Sequence, residues 1–246
     1  SQAAINDADI RDMIGKGSGS QNAFNEYYGV SAAAPVATYK GRVLTTGNGF
    51  PSGYVSLSSG TKIVVVAATI PGYVNSYISL GGTNMTQAAN SYSSNQANPA
   101  GSHSLIYYLQ TSASGSQYFT GDGGSGRSVI YVWEITGYNS STPSSTATTT
   151  TTNYGSSYSE TVSLSTQYNG VTIGAGLTED TITNGVTVSN SDTLEQVDLE
   201  SATNHYTWDD ENTSLGTTSY VCTQGSPGTN GSNTGTYHRL AVAHWK

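Results

Sequence analysis

The sequence predicts an all-β protein, an antiparallel β-sandwich of jelly-roll type preceded by a short N-terminal helical arm. Three observations predict it. Past residue 36 the chain is a series of short runs rich in Val, Ile, Tyr and Thr. Gly, Asn and Ser separate these runs at intervals of roughly 8–12 residues, the spacing of sandwiches and barrels. Charged residues are only 10% of the 246, against about 25% in an ordinary domain, so hydroxyls and amides must wet the surface. Helical periodicity is confined to residues 5–29. The expected domains are an anchoring or oligomerisation arm over 1–36 and a sandwich over 37–246.

The arm comes first. Ile5 precedes Asn6, whose side-chain oxygen suits an N-cap, and Ile10 stands at the staple position opposite Ile5. Ile10, Met13 and Ile14 then form one apolar stripe, closed by Gly15. Phe24, Tyr27 and Tyr28 repeat the spacing before Gly29, so IRDMIG is echoed by FNEYYG. Each helix is far shorter than the roughly 12–15 residues an isolated helix needs in water. The stripes must therefore be buried against the sheets, another copy or another protein.

Strands follow. "IVVVAATI" and "VIYVW" are apolar on both faces and should be central. "TVSLST" alternates, with Val162 and Leu164 inward and one wet face. The last run, "HRLAVAHWK", should pair back into the sheet. The low-complexity, Thr-rich stretch 137–157 has two readings, a flexible linker between domains and a long sheet-to-sheet connection plus an edge strand. The second is preferred, because Thr is a good strand former and neither side of it holds enough strands to close alone.

The balance of charge excludes some partners. A net charge of −8 with scattered Lys and Arg offers no basic stripe for a phosphate backbone, so nucleic acid is not expected. No run is long and apolar enough for a membrane-spanning helix, so no membrane insertion is expected. Cys222 is the single cysteine, which rules out an intrachain disulfide. The N-terminus shows neither a basic n-region nor an apolar h-region, so a protein made in the cytoplasm without a signal peptide is expected. With 18 Tyr against 3 Phe and 3 Trp, the aromatics favour surfaces where one end of the ring stays wet.

The arm carries a resemblance. Ile5, Asp9, Ile10, Arg11 and Gly15, then Ser20, Tyr27, Tyr28 and Gly29, resemble the D-I-R…G…Y-Y-G segment of tailed-bacteriophage virion structural proteins. Asn6 and Asn22 stand where that segment often has Ser, which keeps the capping role. The later runs are similar in style to the β-sandwiches such proteins carry. The resemblance implies a non-enzymatic virion appendage of head fibre, decoration or tail fibre type, located in the virion. It implies docking on capsid or tail proteins through Ile10, Met13, Ile14, Phe24, Tyr27 and Tyr28, and self-association as a homotrimer.

Candidate chemistry is sparse. "HYTWDDEN" sets Tyr206 and Trp208 beside three acids, which suits stacking on a host-surface glycan, although Trp208 reads first as core or interface. Asp209 and Asp210 point to opposite faces of a strand and cannot flank one glycosidic bond. "SDTLEQVDLES" reads as a charged edge, with a calcium site as the second reading. "GDGGSG" reads as a turn, since the Lys-Ser/Thr of a phosphate loop is missing. The four histidines have no metal-ligand spacing, so no catalytic residue, metal or cofactor is expected. Two other readings remain open: a receptor- or glycan-binding adhesin, in which Tyr92 would join Tyr206 and Trp208, and a secreted jelly-roll polysaccharide-degrading enzyme.

Overall fold

In the computed structural model of the protein, Val64, Val66, Ala68 and Ile70 face one way from strand β3 (Lys62–Pro71), and Ile63, Val65 and Ala67 face the other. Both sets are fully buried. The structure describes residues 34–45, 49–71, 77–95, 98–122, 128–153, 158–179, 185–200, 203–211, 213–224 and 236–246. The chain divides into two compact units, Ser1–Ala34 and Pro35–Lys246. The arm residues Ile10, Met13, Ile14, Phe24, Tyr27 and Tyr28 lie outside the described residues.

The first half of the larger unit also holds β1 (Val36–Thr45), β2 (Gly53–Leu57), β4 (Ile78–Leu80) and the two-residue β5 (Thr83–Asn84). It continues with β6 (Thr86–Asn95), β7 (Asn98–Thr111), β8 (Gly115–Gly121) and β9 (Ser128–Thr136). The second half holds β10 (Ser145–Asn153), β11 (Tyr158–Thr166), β12 (Val171–Glu179), β13 (Val186–Val188) and β14 (Thr193–Glu200). It ends with β15 (Thr203–Glu211), β16 (Gly216–Gln224) and β17 (Thr236–Trp245). Every strand pairing among the described residues is antiparallel.

These strands make four sheets rather than the two of a single sandwich. The first half has an inner sheet in the order β1-β9-β3-β7-β6 and an outer sheet in the order β2-β8-β4-β5. The second half has an inner sheet β10-β17-β12-β15-β14 and an outer sheet β11-β16-β13. Renaming β1–β4 as β10–β13 and β6–β9 as β14–β17 turns one set of orders into the other. Only β5 has no counterpart among the described residues. The fold is an internal duplication, and the stretch 137–157, expected as a connection inside one sandwich plus an edge strand, contains the joint between two and does supply an edge strand, β10. Each half has its own inner and outer sheet because segments as short as Ile78–Leu80 and Val186–Val188 pair into the outer ones.

Three cores alternate with the four sheets. Val55, Leu57, Ile78, Leu80 and Phe119 of the first outer sheet pack on Val64, Val66, Leu105, Ile130 and Val132 of its inner sheet. The two inner sheets meet face to face, with Ile63, Val65, Tyr131 and Trp133 against Val171, Ile173, Ala241 and Trp245. Tyr206, Trp208, Leu240 and Val242 then pack on Val162, Leu164, Tyr220 and Cys222 of the second outer sheet. Each fully buried aliphatic or aromatic side chain contributes about 1.5–3 kcal/mol relative to exposure, so the shared middle core binds the halves into one body.

Hydrogen bonds fix the register of that middle core. The Trp133 indole N–H donates to Thr207 Oγ1 at 3.0 Å, and the Thr207 hydroxyl donates to the Gly174 carbonyl at 2.7 Å. Tyr131 donates to the His205 carbonyl at 2.8 Å, and Thr69 Oγ1 lies 2.7 Å from His205 Nδ1. Ser104 donates to the Arg239 carbonyl at 2.8 Å. Trp133, Tyr131, Thr69 and Ser104 belong to the first half and their partners to the second. Sliding one inner sheet over the other would orphan several buried polar groups, at roughly 1–3 kcal/mol each.

Local chemistry explains the sharpest turn. "ISLGGTN", read from the sequence within one longer run, is a two-residue hairpin in which Leu80 pairs with Thr83. Gly81 and Gly82 both take positive φ, 56° and 85°, the mirror-turn geometry that suits the twist of the flanking strands. The expectations for "TVSLST" and for the last strand hold: Val162 and Leu164 are buried between exposed neighbours, and β17 lies between β10 and β12.

Candidate functional site

Tyr206 and Trp208 do not form a stacking platform. Both are fully buried on β15, directly opposite Gly176 and Gly174 of β12. Their rings stack at 5.9 Å, and Trp208 tilts against Tyr220 at 6.0 Å. The even-numbered residues of β15 face the second outer sheet, and the facing glycines leave the space the rings fill. Tyr92 on β6 is exposed, with its ring stacked 4.5 Å from His103.

The carboxylates serve the backbone and a buried phenol. Asp209 accepts the Thr193 N–H at 3.0 Å, while Asp210, on the opposite face, accepts the Tyr220 hydroxyl at 2.7 Å. Asp192 accepts the Glu211 N–H at 2.6 Å, and Glu211 accepts the Ala37 N–H at 2.7 Å. Among the described residues no group of three or more His, Cys, Asp or Glu is placed to hold a metal ion. The side chains of Asp198 and Glu200 lie outside the described residues. Of "GDGGSG", only Gly121 and Asp122 are described, and the segment joins β8 to β9, which belong to different sheets. Cys222 is buried, and that burial pushes its thiol up to about 12, which keeps it protonated and inert.

Burial holds three histidines neutral. It lowers His205 to about 3, and lowers His103 and His244 to about 4, with Arg239 adding to the effect at His103 and Lys246 at His244. In the unfolded chain each would take a proton near pH 6.5. Between pH 6.5 and about 4 the unfolded state therefore binds more protons, and stability falls as pH falls. Asp209, raised to about 6 chiefly by burial, and Asp210, also raised, act the other way on protonation. The histidines are displaced from 6.5 to about 3, 4 and 4 while Asp209 moves only from 3.8 to about 6, so among these groups the histidines prevail. Urea unfolding midpoints are expected to drop steadily from pH 7 to pH 4, and a flat or rising series would refute this balance.

Among the described residues, the outer face of the first outer sheet brings two exposed aromatic side chains together. On β2, Val55 and Leu57 point into the core, so Tyr54 and Ser56 point out. On β8, Phe119 points in, so Tyr118 points out beside Thr120. Tyr54 and Tyr118 are register partners with ring centroids 5.0 Å apart and planes tilted 53°. They are 69% and 41% exposed. Ser56 pairs with Ser116 two residues along, and Ser52 Oγ lies 3.0 Å from Thr120 Oγ1. None of these residues is charged at neutral pH.

The duplication supplies a reference for this pair. Leu57 opposite Gly115 corresponds to Thr166 opposite Gly216, and both glycines have positive φ, 72° and 133°. Counting back, Tyr54 and Tyr118 correspond to Ser163 and Ser219, which are also register partners, with their hydroxyls 2.7 Å apart. The same place thus holds two rings in one half and two hydroxyls in the other. The signal in the sequence was partial. Alternation in "GYVSLS" already points Tyr54 away from Val55, but in "QYFT" only the packing decides which of Tyr118 and Phe119 is outside.

Chemically, the face offers two apolar ring surfaces, two phenol groups and a set of neutral hydroxyls. Comparison of the chain with family models, with curated proteins and with solved structures gives no match, so a reading of function rests on the residues themselves.

Proposed function

We propose that this protein is a non-enzymatic structural appendage of a bacteriophage virion, docked through its N-terminal arm and displaying its sheets to the outside. The single observation that carries the reading is the duplicated four-sheet body, whose outer faces are wetted by Ser and Thr hydroxyls with few ions. Such a body is a rigid spacer. Its cores are internal, and its outermost surfaces meet water through neutral groups.

In this reading each half is a sandwich of jelly-roll type. The strand orders support it, since the chain passes repeatedly between inner and outer sheets and its last strand returns beside the first. The stripes Ile10, Met13, Ile14 and Phe24, Tyr27, Tyr28 form the anchor and bring three copies together, burying apolar faces too short to persist alone.

Two measurements test this. Peptides of the chain are expected in density-banded phage particles from a lysate that produces it, and their absence from the particles would overturn the appendage role. Light scattering of the full chain is expected to give a trimer mass that falls to a monomer with Ile10→Asp, Ile14→Asp and Tyr28→Asp together. A mass unaffected by these changes would move the interface from the arm to the sheets.

A further inference from the structure

We propose that the Tyr54–Tyr118 face of the first outer sheet binds a neutral polysaccharide, a step that rests on the reading of this body as an exposed appendage. The two halves differ at this place. Ser163 and Ser219 occupy the equivalent positions in the second half and complete the same strand pairing. The fold therefore does not need rings there. Two exposed tyrosines instead leave apolar surface in water, a cost that a ligand would offset.

The surroundings select the ligand. A phosphate backbone requires cations, and Tyr54, Tyr118, Ser52, Ser56, Ser116 and Thr120 supply none. Protein interfaces favour aromatic, Met and Arg neighbours and are depleted of Ser, whereas hydroxyls surround this pair. A pyranose fits both features. Its C–H face lies against a ring, and its hydroxyls exchange hydrogen bonds with the phenols and with Ser and Thr side chains.

The geometry then sets the size of the ligand. Ring planes tilted by 53° cannot both lie flat under one sugar. Each ring instead meets a different residue of a chain, so the face reads a polymer rather than a monosaccharide. The lack of charge on the six residues selects a neutral polymer over an acidic one.

The test uses the full chain with immobilised dextran, mannan and galactan as neutral probes and alginate as the anionic probe. Retention is expected on at least one neutral polymer. Tyr54→Ser with Tyr118→Ser, which gives the first half the pair already present in the second, is expected to weaken retention by about tenfold or more. Ser163→Ala with Ser219→Ala should leave it unchanged. The tyrosine variant should unfold at the same urea concentration as the parent, and the single Tyr54→Ser change provides a milder check of the same loss. No retention on any neutral polymer, retention on alginate alone, or equal retention by the tyrosine variant would each overturn the proposal. So would a change in solution mass on replacing the tyrosines, since the face would then be a contact between copies. Absence of the chain from phage particles would overturn the appendage reading and leave a positive glycan result standing, so the two failures are distinct.

Discussion

Replacing Lys62 by methionine is expected to destabilise the protein by about 3–5 kcal/mol, the cost of removing one partner from a buried charged network. The ammonium is almost fully buried and donates to three carbonyls, Ser58 at 2.6 Å, Gly60 at 2.9 Å and Ala113 at 2.7 Å. It thus ties the connection between β2 and β3 to the connection between β7 and β8. Glu134 Oε1 lies 4.0 Å from the ammonium and accepts the Ser58 N–H at 2.7 Å, so the carboxylate closes the same knot. Methionine keeps the bulk and removes every donor, which leaves three carbonyls and a buried carboxylate short of partners. Lys40, 3.5 Å from Glu134 and with its side chain 21% exposed, is the control. Its methionine variant should lose no more than about 1 kcal/mol, as a partly solvated pair does. Urea unfolding of the three proteins decides the matter, and a Lys62 loss no larger than that of Lys40 would refute the clamp. In the second half Thr213 joins the corresponding loops. It donates through its hydroxyl to the Gln167 carbonyl at 2.6 Å and through its N–H to the Gly170 carbonyl at 3.3 Å.

Gly176→Ala is expected to cost about 3 kcal/mol, the upper part of the usual range for overpacking. A Cβ on Gly176 would lie 2.1 Å from Cε2 and Cζ of Tyr206, and one on Gly174 would lie 2.2 Å from the Trp208 ring. Neither ring can swing into solvent, because both are fully buried between the second inner and outer sheets. The glycines are required here by close approach, since the rings of β15 lie across the β12 backbone and fill the space a side chain would take. Pairing Gly176→Ala with Tyr206→Leu should recover part of the loss, and the coupling between the two changes measures the clash directly. A loss below about 1 kcal/mol for Gly176→Ala would mean that the ring relaxes at little cost.

"NGVTIGAGLT" shows how much of this was legible. Alternation marks Val171, Ile173, Ala175 and Leu177 as one buried face, and they are buried. The opposite face holds only the small or polar residues Thr172, Gly174, Gly176 and Thr178, yet Thr172 and Thr178 are also fully buried. What covers its glycines is the Tyr206 and Trp208 pair, supplied by a strand that lies well beyond it in the chain. The same two rings look available for a sugar when "HYTWDDEN" is read alone. A strand's own pattern says which residues share a face, but which layer covers that face is a property of its partners.

The duplication is illegible for a related reason. "TKIVVVAATI" and "NGVTIGAGLT" occupy the same place in the two halves, as do "RSVIYVWEIT" and "HRLAVAHWK", yet they share little beyond period two. A core requires complementary volume rather than particular residues, and repacking with different residues is tolerated while the pattern stays. The shared core takes its bulk from Tyr131 and Trp133 of β9 on one side, and from Trp245 with the small Ala241 and Ala243 of β17 on the other.

By itself the sequence determined the all-β class, the central position of β3 and β9 and the single wet face of β11. All of these follow from local alternation and composition, which act through the pleat of each strand. Tertiary structure alone decided that the strands form four sheets in two matched halves, that Tyr206 is core while Tyr54 and Tyr118 are surface, and that Lys62 is a buried clamp. Those outcomes depend on which sheets stack, and stacking is set by contacts between residues far apart in the chain, where no local period reaches.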